Sequence, residues 1–321
     1  MQRDCVGPAT FSLVAIFCRH IGYEPGGAYL TRIELHRDCT DFVLSEGSVA
    51  DKLRLFVAGF EMPDGMLEDL FGEINDIQNP DGGIPFELWN ENPSSVKQTA
   101  ELLSLICKSG KAPDVLKNAM AGFLVSRQKK DGGFGEALNL DTLIEDRWGN
   151  SSGREWYPVG VSITWLTGKA LEALCCIDYE EEHRLRKARD FLIYNQNEDG
   201  HWPNYKESKT SDPLGTGNIL PALRAVGVHE DHDALQDGKA ALLHHLKTSI
   251  EEENVCDMVD IVSVGKPETK SEKALLKDAL ELIAEKQREN GCWAYIGLNK
   301  SDPELSSLLA YAFKVVADRY L

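Results

Sequence analysis

The sequence has no C-x-x-C spacing, no apolar run long enough to cross a bilayer, and far fewer basic than acidic residues. Each absence removes a class of function. The eight cysteines (5, 18, 39, 107, 175, 176, 256 and 292) mostly sit inside apolar helical stretches, which predicts buried free thiols in a reducing compartment. The one strong early apolar run, Phe11 to Cys18, is much shorter than the ~20 residues of a membrane helix and lacks signal-peptide flanks. A soluble, cytoplasmic protein is expected, with peripheral membrane contact left open. Lys and Arg number 34 against 52 Asp and Glu, a net charge of −18. Phosphate neutralisation needs a basic face, so nucleic acid is not an expected partner.

What the sequence does have is an internal repeat. Gln196-Asn-Glu-Asp-Gly-His-Trp202 recurs as Gln78-Asn-Pro-Asp-Gly-Gly-Ile84, Gln128-Lys-Lys-Asp-Gly-Gly-Phe134 and Gln287-Arg-Glu-Asn-Gly-Cys-Trp293. Each copy is preceded, four residues before its Gln, by an apolar residue: Ile74, Leu124, Leu192 or Ile283. Helix formers lead up to each Gln, and Asp/Asn-Gly supplies a positive-φ turn that stops the helix. The Gln is placed to bond backbone at a neighbouring helix end, and the large apolar residue to pack on the adjacent copy. These residues therefore read as structural staples, and their spread from residue 78 to 293 predicts one closed array.

Residues 9–21 are apolar on nearly every side, as in an inner-layer helix. Helices are predicted over 28–45 and 49–60, and Glu61–Gly65 resembles a degenerate fifth turn. Ser94-Ser95 caps a helix through Gln98 to Lys108, with Pro113 to Arg127 outside it. An irregular insertion, 135–158, holds Trp148, Trp156 and Tyr157; Val159 to Cys176 is again apolar all round and His183 to Asn195 amphipathic. Ser211-Asp212-Pro213 and Ser301-Asp302-Pro303 each open an apolar helix, Pro at the first turn being a start signal. With Asp231 to Lys247, Val255 to Val264 and Ser271 to Gln287 this makes about a dozen helices and no strand. The expected fold is all-α: a single (α/α)6 barrel over residues 1–321, with inner and outer layers.

The repeat resembles that of squalene-hopene cyclases and related class II terpene cyclases, with a looser version in protein prenyltransferase β-subunits. Gln128-Lys-Lys-Asp-Gly-Gly-Phe-Gly-Glu136 is similar to the cyclases' Q-N-P-D-G-G-W-G-E, and Gly215-Thr-Gly-Asn-Ile-Leu-Pro-Ala-Leu223 to their G-T-G-A-V-L-P-A-L. The matching pieces run over most of residues 4–314, about the extent of one catalytic barrel. The resemblance implies the barrel fold, an isoprenoid substrate and a cyclisation started by protonating an alkene or epoxide. The family's acid is the middle Asp of D-x-D-D-T-A; the corresponding Asp4-Cys-Val-Gly-Pro-Ala9 keeps only the first Asp, and no D-D-x-x-D string is present.

A replacement acid must be a carboxyl kept neutral in a dry cavity, with aromatic faces to hold the cation and water excluded. Asp212, at the start of an inner helix where the resemblance places an aromatic, is the first candidate; an N-cap is its structural alternative. Asp302 has the same two readings, and Asp4 is a remnant of the lost motif or a frayed terminus. Asp257 and Asp260 are further acids in an inner helix. Trp89, Trp156, Tyr157, Trp165 and Tyr205 are candidates for the cation-binding wall, ordinary core packing being the alternative for each. No cofactor is required by such chemistry, and no metal site is expected. Mg2+ would accompany a diphosphate substrate, with Asp141, Glu145 and Asp146 as the hard-oxygen string that would hold it, a solvated acidic loop being the alternative for these three. Two other readings share the fold: a non-catalytic barrel binding a prenyl group or a protein, and a polysaccharide lyase or hydrolase with an open carboxylate-lined groove.

Overall fold

In the computed structural model, residues 33–150, 154–205 and 208–321 are described, and the sequence's helical periodicity becomes two concentric layers. In chain order the helices are α1 (Thr40–Glu46), α2 (Val49–Ala58), α3 (Met66–Ile77), α4 (Val96–Lys108), α5 (Asp114–Ser126) and α6 (Asp141–Trp148). They continue with α7 (Thr164–Cys176), α8 (Glu182–Tyr194), α9 (Pro213–Ala225), α10 (Asp233–Glu251), the 3₁₀ helix Val255–Val264, α11 (Lys270–Glu285) and α12 (Pro303–Tyr320). Neighbour contacts run α2–α4–α7–α9–3₁₀ helix–α12, and α12 returns to α2, so these elements close an inner ring. Outside them pack α3 on α2, α5 on α4, α8 on α7, α10 on α9, α11 on the 3₁₀ helix and α12, and α1 on α12. This is the expected (α/α)6 barrel, and Ile33–Leu321 form one compact unit.

The repeat turns join the end of an outer helix to the start of an inner one, and their chemistry explains the conserved spacing within the chain. The Gln side chain donates back to the carbonyl of its own Gly at 2.8 Å for Gln78, 3.1 Å for Gln128, 2.8 Å for Gln196 and 2.7 Å for Gln287. Three of the four also donate to the next outer segment, at Arg184 O, Ala234 O and Arg37 O. Asp81 and Asp199 each accept from a Ser just before the inner helix, Ser94 at 2.6 Å and Ser211 at 2.9 Å. A hydroxyl one turn into each inner helix (Thr99, Thr167, Thr216 or Ser306) accepts the backbone N–H of Ile84, Phe134, Trp202 or Trp293. Trp202 and Trp293 are buried, and each indole N–H donates to a carbonyl of its own outer helix, Leu192 O at 2.7 Å and Ile283 O at 2.8 Å. Trp202→Phe, which removes the indole donor and leaves the Asn195 N–H as partner of the Leu192 carbonyl, is expected to cost roughly 0.5–1.5 kcal/mol in a chemical-denaturation midpoint. No change would show that the ring stacks without needing its N–H.

Several expectations are corrected. The expected helix over 28–45 appears, within the described part, only as Thr40–Glu46. Residues 33–39 are non-helical because Arg37 exchanges backbone hydrogen bonds with the Gln287 side chain and Asp38 accepts from Thr40 N. That stretch closes the outer ring. Glu61–Gly65 is a turn, with Gly65 at φ +80, but it joins inner α2 to outer α3, at the opposite end of the barrel from the true repeats. Residues 159–161 form bends, with Gly160 at φ +74, and Ile163 bridges both Phe134 and Tyr205, so the helix begins only at Thr164. The insertion 135–158 is not wholly irregular, as it contains α6. Short strands do occur: β1 (Ile84–Pro85) with β2 (Ser94–Ser95), and β3 (Trp202–Pro203) with β4 (Ser211–Asp212), each pairing a repeat's apolar residue with the residue before an inner helix. The helix expected over 9–21 lies outside the described residues.

Candidate functional site in the barrel lumen

Inner helices that start from one end of the ring present one stripe each to its centre, and on α7 the spacing Trp165, Lys169, Glu172, Cys176 marks that stripe. Across the ring the matching positions carry charge. Arg54 of α2, almost fully buried, donates to Asp51 at 2.8 Å and to Ser307 of α12 at 2.5 Å, and pairs with Glu101 of α4 at 2.5 Å. Burial alone would raise the Glu101 carboxyl, but Lys169, Arg54 and Lys97 together hold it down at about 2. Lys169 also acts on Asp260, which lies on the 3₁₀ helix beyond α9. Arg54, Glu101, Lys169 and Asp260 thus form an alternating belt of charge across the ring.

Asp260 differs from the rest of the belt. Burial pushes its carboxyl from 3.8 up to about 7; Lys169 opposes the rise, while Asp212 and Asp257 add to it. Asp260 is half-buried, and its carboxyl lies where the 3₁₀ helix packs on α9. Gly217 of α9, in the Gly-Thr-Gly segment, makes room for it: a Cβ at 217 would overlap the Asp260 carboxyl. A second polar cluster marks the C-terminal ends of the inner helices, where Lys108 pairs with Glu172 at 2.7 Å.

The sequence candidates fall in three groups. Asp212 Oδ1 accepts from Leu214 N at 2.8 Å and Asp302 Oδ1 from Leu305 N at 2.8 Å, so both carboxylates cap the helices they begin. Asp212 nevertheless reaches Asp260 electrostatically. Asp257 is exposed and accepts from Asn254, and Asp4 lies outside the described residues. Trp156, Tyr157 and Trp165 do come together, with centroid separations of 5.4, 5.2 and 6.3 Å among them. Trp148 and Phe86 extend this cluster at 5.4–5.7 Å. It sits where α4 and α7 begin, fixed by Tyr157 OH donating to Glu136 at 2.7 Å and by Trp165 Nε1 donating to Trp156 O at 2.9 Å. Burial and the Glu136 carboxylate push the Tyr157 phenol well above its usual 10. Trp89 is 65% exposed and stands away from the cluster; Tyr205 enters through its backbone bridge to Ile163. Sequence reasoning missed Glu136, whose carboxylate also accepts the backbone N–H groups of Val96 and Lys97 and so caps α4. The signal was its place two residues after Phe134, in the stretch that matches the cyclase repeat.

The acidic string does not fit a cation. Asp141 is taken by an ion pair with Arg154, and among the described residues no group of three or more His, Cys, Asp or Glu is arranged to hold a metal.

No protein-family model matches the chain. Lanosterol synthase from Pneumocystis carinii is 26% identical over 204 residues, 60% of this chain and 28% of that enzyme, so the match spans under a third of the relative's length. Among solved structures, the type II terpene cyclase MstE from Scytonema, in complex with its substrate geranylgeranyl dihydroxybenzoate, superposes with a TM-score of 0.64 at 14% identity. The superposition covers 85% of this chain and 87% of that one. The ent-copalyl diphosphate synthase from Streptomyces platensis gives a TM-score of 0.57 at 18% identity, over 84% of this chain and 49% of that one. The resemblance carried by the repeat is thus matched in sequence by a lanosterol synthase and in fold by type II terpene cyclases, whose α/α barrel this chain has.

Proposed function

We propose that the chain is a terpene cyclase-like enzyme that starts the cyclisation of a polyprenyl substrate by protonating it in the lumen, with Asp260 as the acid. The observation that carries this reading is a carboxyl on an inner-ring element, packed against Gly217 of α9 and held up by burial to about 7, so that it keeps its proton near neutral pH where an ordinary Asp has lost it. In the initiating step the Asp260 O–H bond breaks as the alkene's π pair forms a new C–H bond, leaving a tertiary cation. Later double bonds attack in turn, and loss of one proton from the final cation closes the balance. Aromatic faces stabilise such cations, and the Trp156–Tyr157–Trp165 cluster is the wall this chain offers. Asp212 acts as companion carboxylate rather than as acid, its charge helping to keep Asp260 protonated. Asp302 and Asp4 stand behind it as alternative acids. No cofactor enters these steps; Mg2+ would come only as the counter-ion of a diphosphate substrate.

The test is incubation with polyprenyl diphosphates, squalene and prenylated aromatics, with and without Mg2+, read by mass spectrometry beside Asp260→Asn and Asp212→Asn. A cyclised product lost only in the first variant supports the assignment; one lost only in the second moves the acid to Asp212. A second reading, a non-catalytic isoprenoid-binding or protein-interaction barrel, is favoured by the belt itself, because an alkene-folding lumen has little use for Arg54, Glu101 and Lys169. Saturable binding without turnover of any substrate would select it.

The free thiols fit a reducing, cytoplasmic setting, and the site is read as open to a membrane surface. No helix among the described residues is long and apolar enough to cross a membrane. Yet Trp89, Val161, Leu214, Tyr295, Ile296 and Leu298, 41–74% exposed, all lie just before or at the start of inner helices, around one end of the ring. With a net charge of −18 this rim suits an uncharged bilayer better than an anionic one. The chain is expected to sediment with phosphatidylcholine vesicles and to lose several-fold in partitioning as the Ile296→Ser/Leu298→Ser double variant. Equal sedimentation of both forms would remove the membrane.

A further inference from the structure

The C-terminal ends of α4 and α7 carry three cysteines that the proposed chemistry does not use, Cys107, Cys175 and Cys176. The two helices are neighbours in the inner ring, and Lys108 of one pairs with Glu172 of the other at 2.7 Å. Next to that lysine, Cys107 Sγ donates to the carbonyl oxygen of Cys176 at 2.5 Å, which brings together two cysteines 69 positions apart in the chain. The two side chains also interact as thiol with thiol, whereas the charges acting on Cys175 are those of Glu172 and Asp178. A disulfide spans α-carbons roughly 4.4–6.8 Å apart, so a thiol seated on its neighbour's own carbonyl is about one side-chain rotation from that neighbour's sulfur. All three cysteines are half-buried and open to a small reagent, whereas Cys39 and Cys292 are fully buried.

We propose that Cys107 and Cys176 are a modification site, a thiol pair that closes to a reversible disulfide when the chain meets a peroxide and so ties α4 to α7. The inference stands apart from the reading of Asp260 as the acid. In the first step one thiolate attacks a peroxide oxygen and the O–O bond breaks, leaving a sulfenic acid and water. In the second, the other thiolate attacks that sulfur and expels hydroxide, which leaves as water with the second thiol's proton. Two thiols and one hydrogen peroxide thus become one disulfide and two waters. Burial above all pushes the Cys176 thiol up to about 12; Cys107 and Glu172 add to the rise, and Lys108 opposes it. The resting pair is therefore protonated and waits for a reactive oxidant. The bond would close a loop of 69 residues, which restricts the unfolded chain far more than the folded one. Because Lys108–Glu172 already joins the same two helix ends, the folded ring has little to rearrange.

The experiment treats the reduced full chain with hydrogen peroxide at mildly alkaline pH, alkylates the remaining thiols, and maps the digest by mass spectrometry beside Cys107→Ser, Cys176→Ser and Cys175→Ser. The expected product is a peptide pair joined through Cys107 and Cys176, lighter than its reduced parts by two hydrogens. It should form in the parent and in Cys175→Ser, be absent from the other two variants, and disappear on reduction with dithiothreitol. The melting temperature of the parent should rise on oxidation by roughly 5–10 °C and return on reduction, with no such rise in Cys107→Ser. A bridge from Cys107 to Cys175 instead overturns the proposal. So does oxidation of either thiol to a sulfinic acid without any bridge, or a pair that stays reduced while other cysteines of the chain are oxidised. If Cys176→Ser does not fold, the peptide map of the parent and of Cys175→Ser still decides which two sulfurs are joined.

Discussion

Asp260→Asn is expected to abolish product formation and, above pH 7, to make the folded chain more stable than the parent. The loss of activity is the removal of a positioned general acid, a factor of roughly 10² to 10⁴ or more when no water can substitute. The gain in stability follows from linkage. Folding raises the Asp260 carboxyl from 3.8 to about 7, so the folded chain holds a proton that the unfolded chain has released. That group's contribution is full below pH 3.8 and is lost as pH rises through about 7, on the order of 4 kcal/mol in all. An amide carries no such cost. Glu101 has the opposite sign: lowered from 4.5 to about 2, it contributes above 4.5 and is lost as pH falls toward 2. Melting curves of parent and variant should therefore converge near pH 4 and separate steadily to pH 8. A variant that is inactive and equally stable at both pH values would mean that Asp260 is ionised in the folded chain. Activity of the parent should fall tenfold per unit above about pH 7, where the acid is spent.

The second large effect is at the seam of the ring. Gly291 has φ +78, and a Cβ on it would overlap the carbonyl of Asp38, the segment that brings the start of the described chain against its last repeat turn. Gly291→Ala must pay for a left-handed alanine and also push the two segments apart, losing the Gln287–Arg37 hydrogen bonds that staple them. A cost of roughly 3–5 kcal/mol is expected. Gly59→Ala is the control: φ is +85 and a Cβ there would meet nothing within 4 Å, so about 1 kcal/mol of backbone strain is all that should appear. Urea midpoints of the two variants separate the terms. Equal costs would show that the seam gives way easily and does not hold the ring closed.

Much of the barrel was legible because its staples are local: a Gln, its Asp or Asn, its Gly and its large apolar residue fall within one heptad, and the helices between them carry their own periodicity. Ser-Asp-Pro at 211–213 and 301–303 marked inner-helix starts to the residue. An Asp before a Pro at a helix start is visible in one dimension, and the capping alternative weighed for Asp212 and Asp302 is the contact each makes. Asp260 carries no such mark. Val255–Val264 reads as an apolar segment with two acids, and which of them packs on α9 depends on the 3₁₀ winding and on Gly217, contributed by another helix. Residues 33–39 were misread for a related reason, since their non-helical path is set by Gln287 at the far end of the chain.

The central claim is that catalysis begins with a proton from the protein, and the most direct measurement is turnover of an alkene-terminated polyprenyl substrate in D2O with mass analysis of the product. Protonation by Asp260, exchanged to deuterium from solvent, predicts a cyclised product with one non-exchangeable deuterium at the carbon that accepted it, and none formed by Asp260→Asn. A cyclised product free of deuterium would contradict the account, because the reaction would then start by another route.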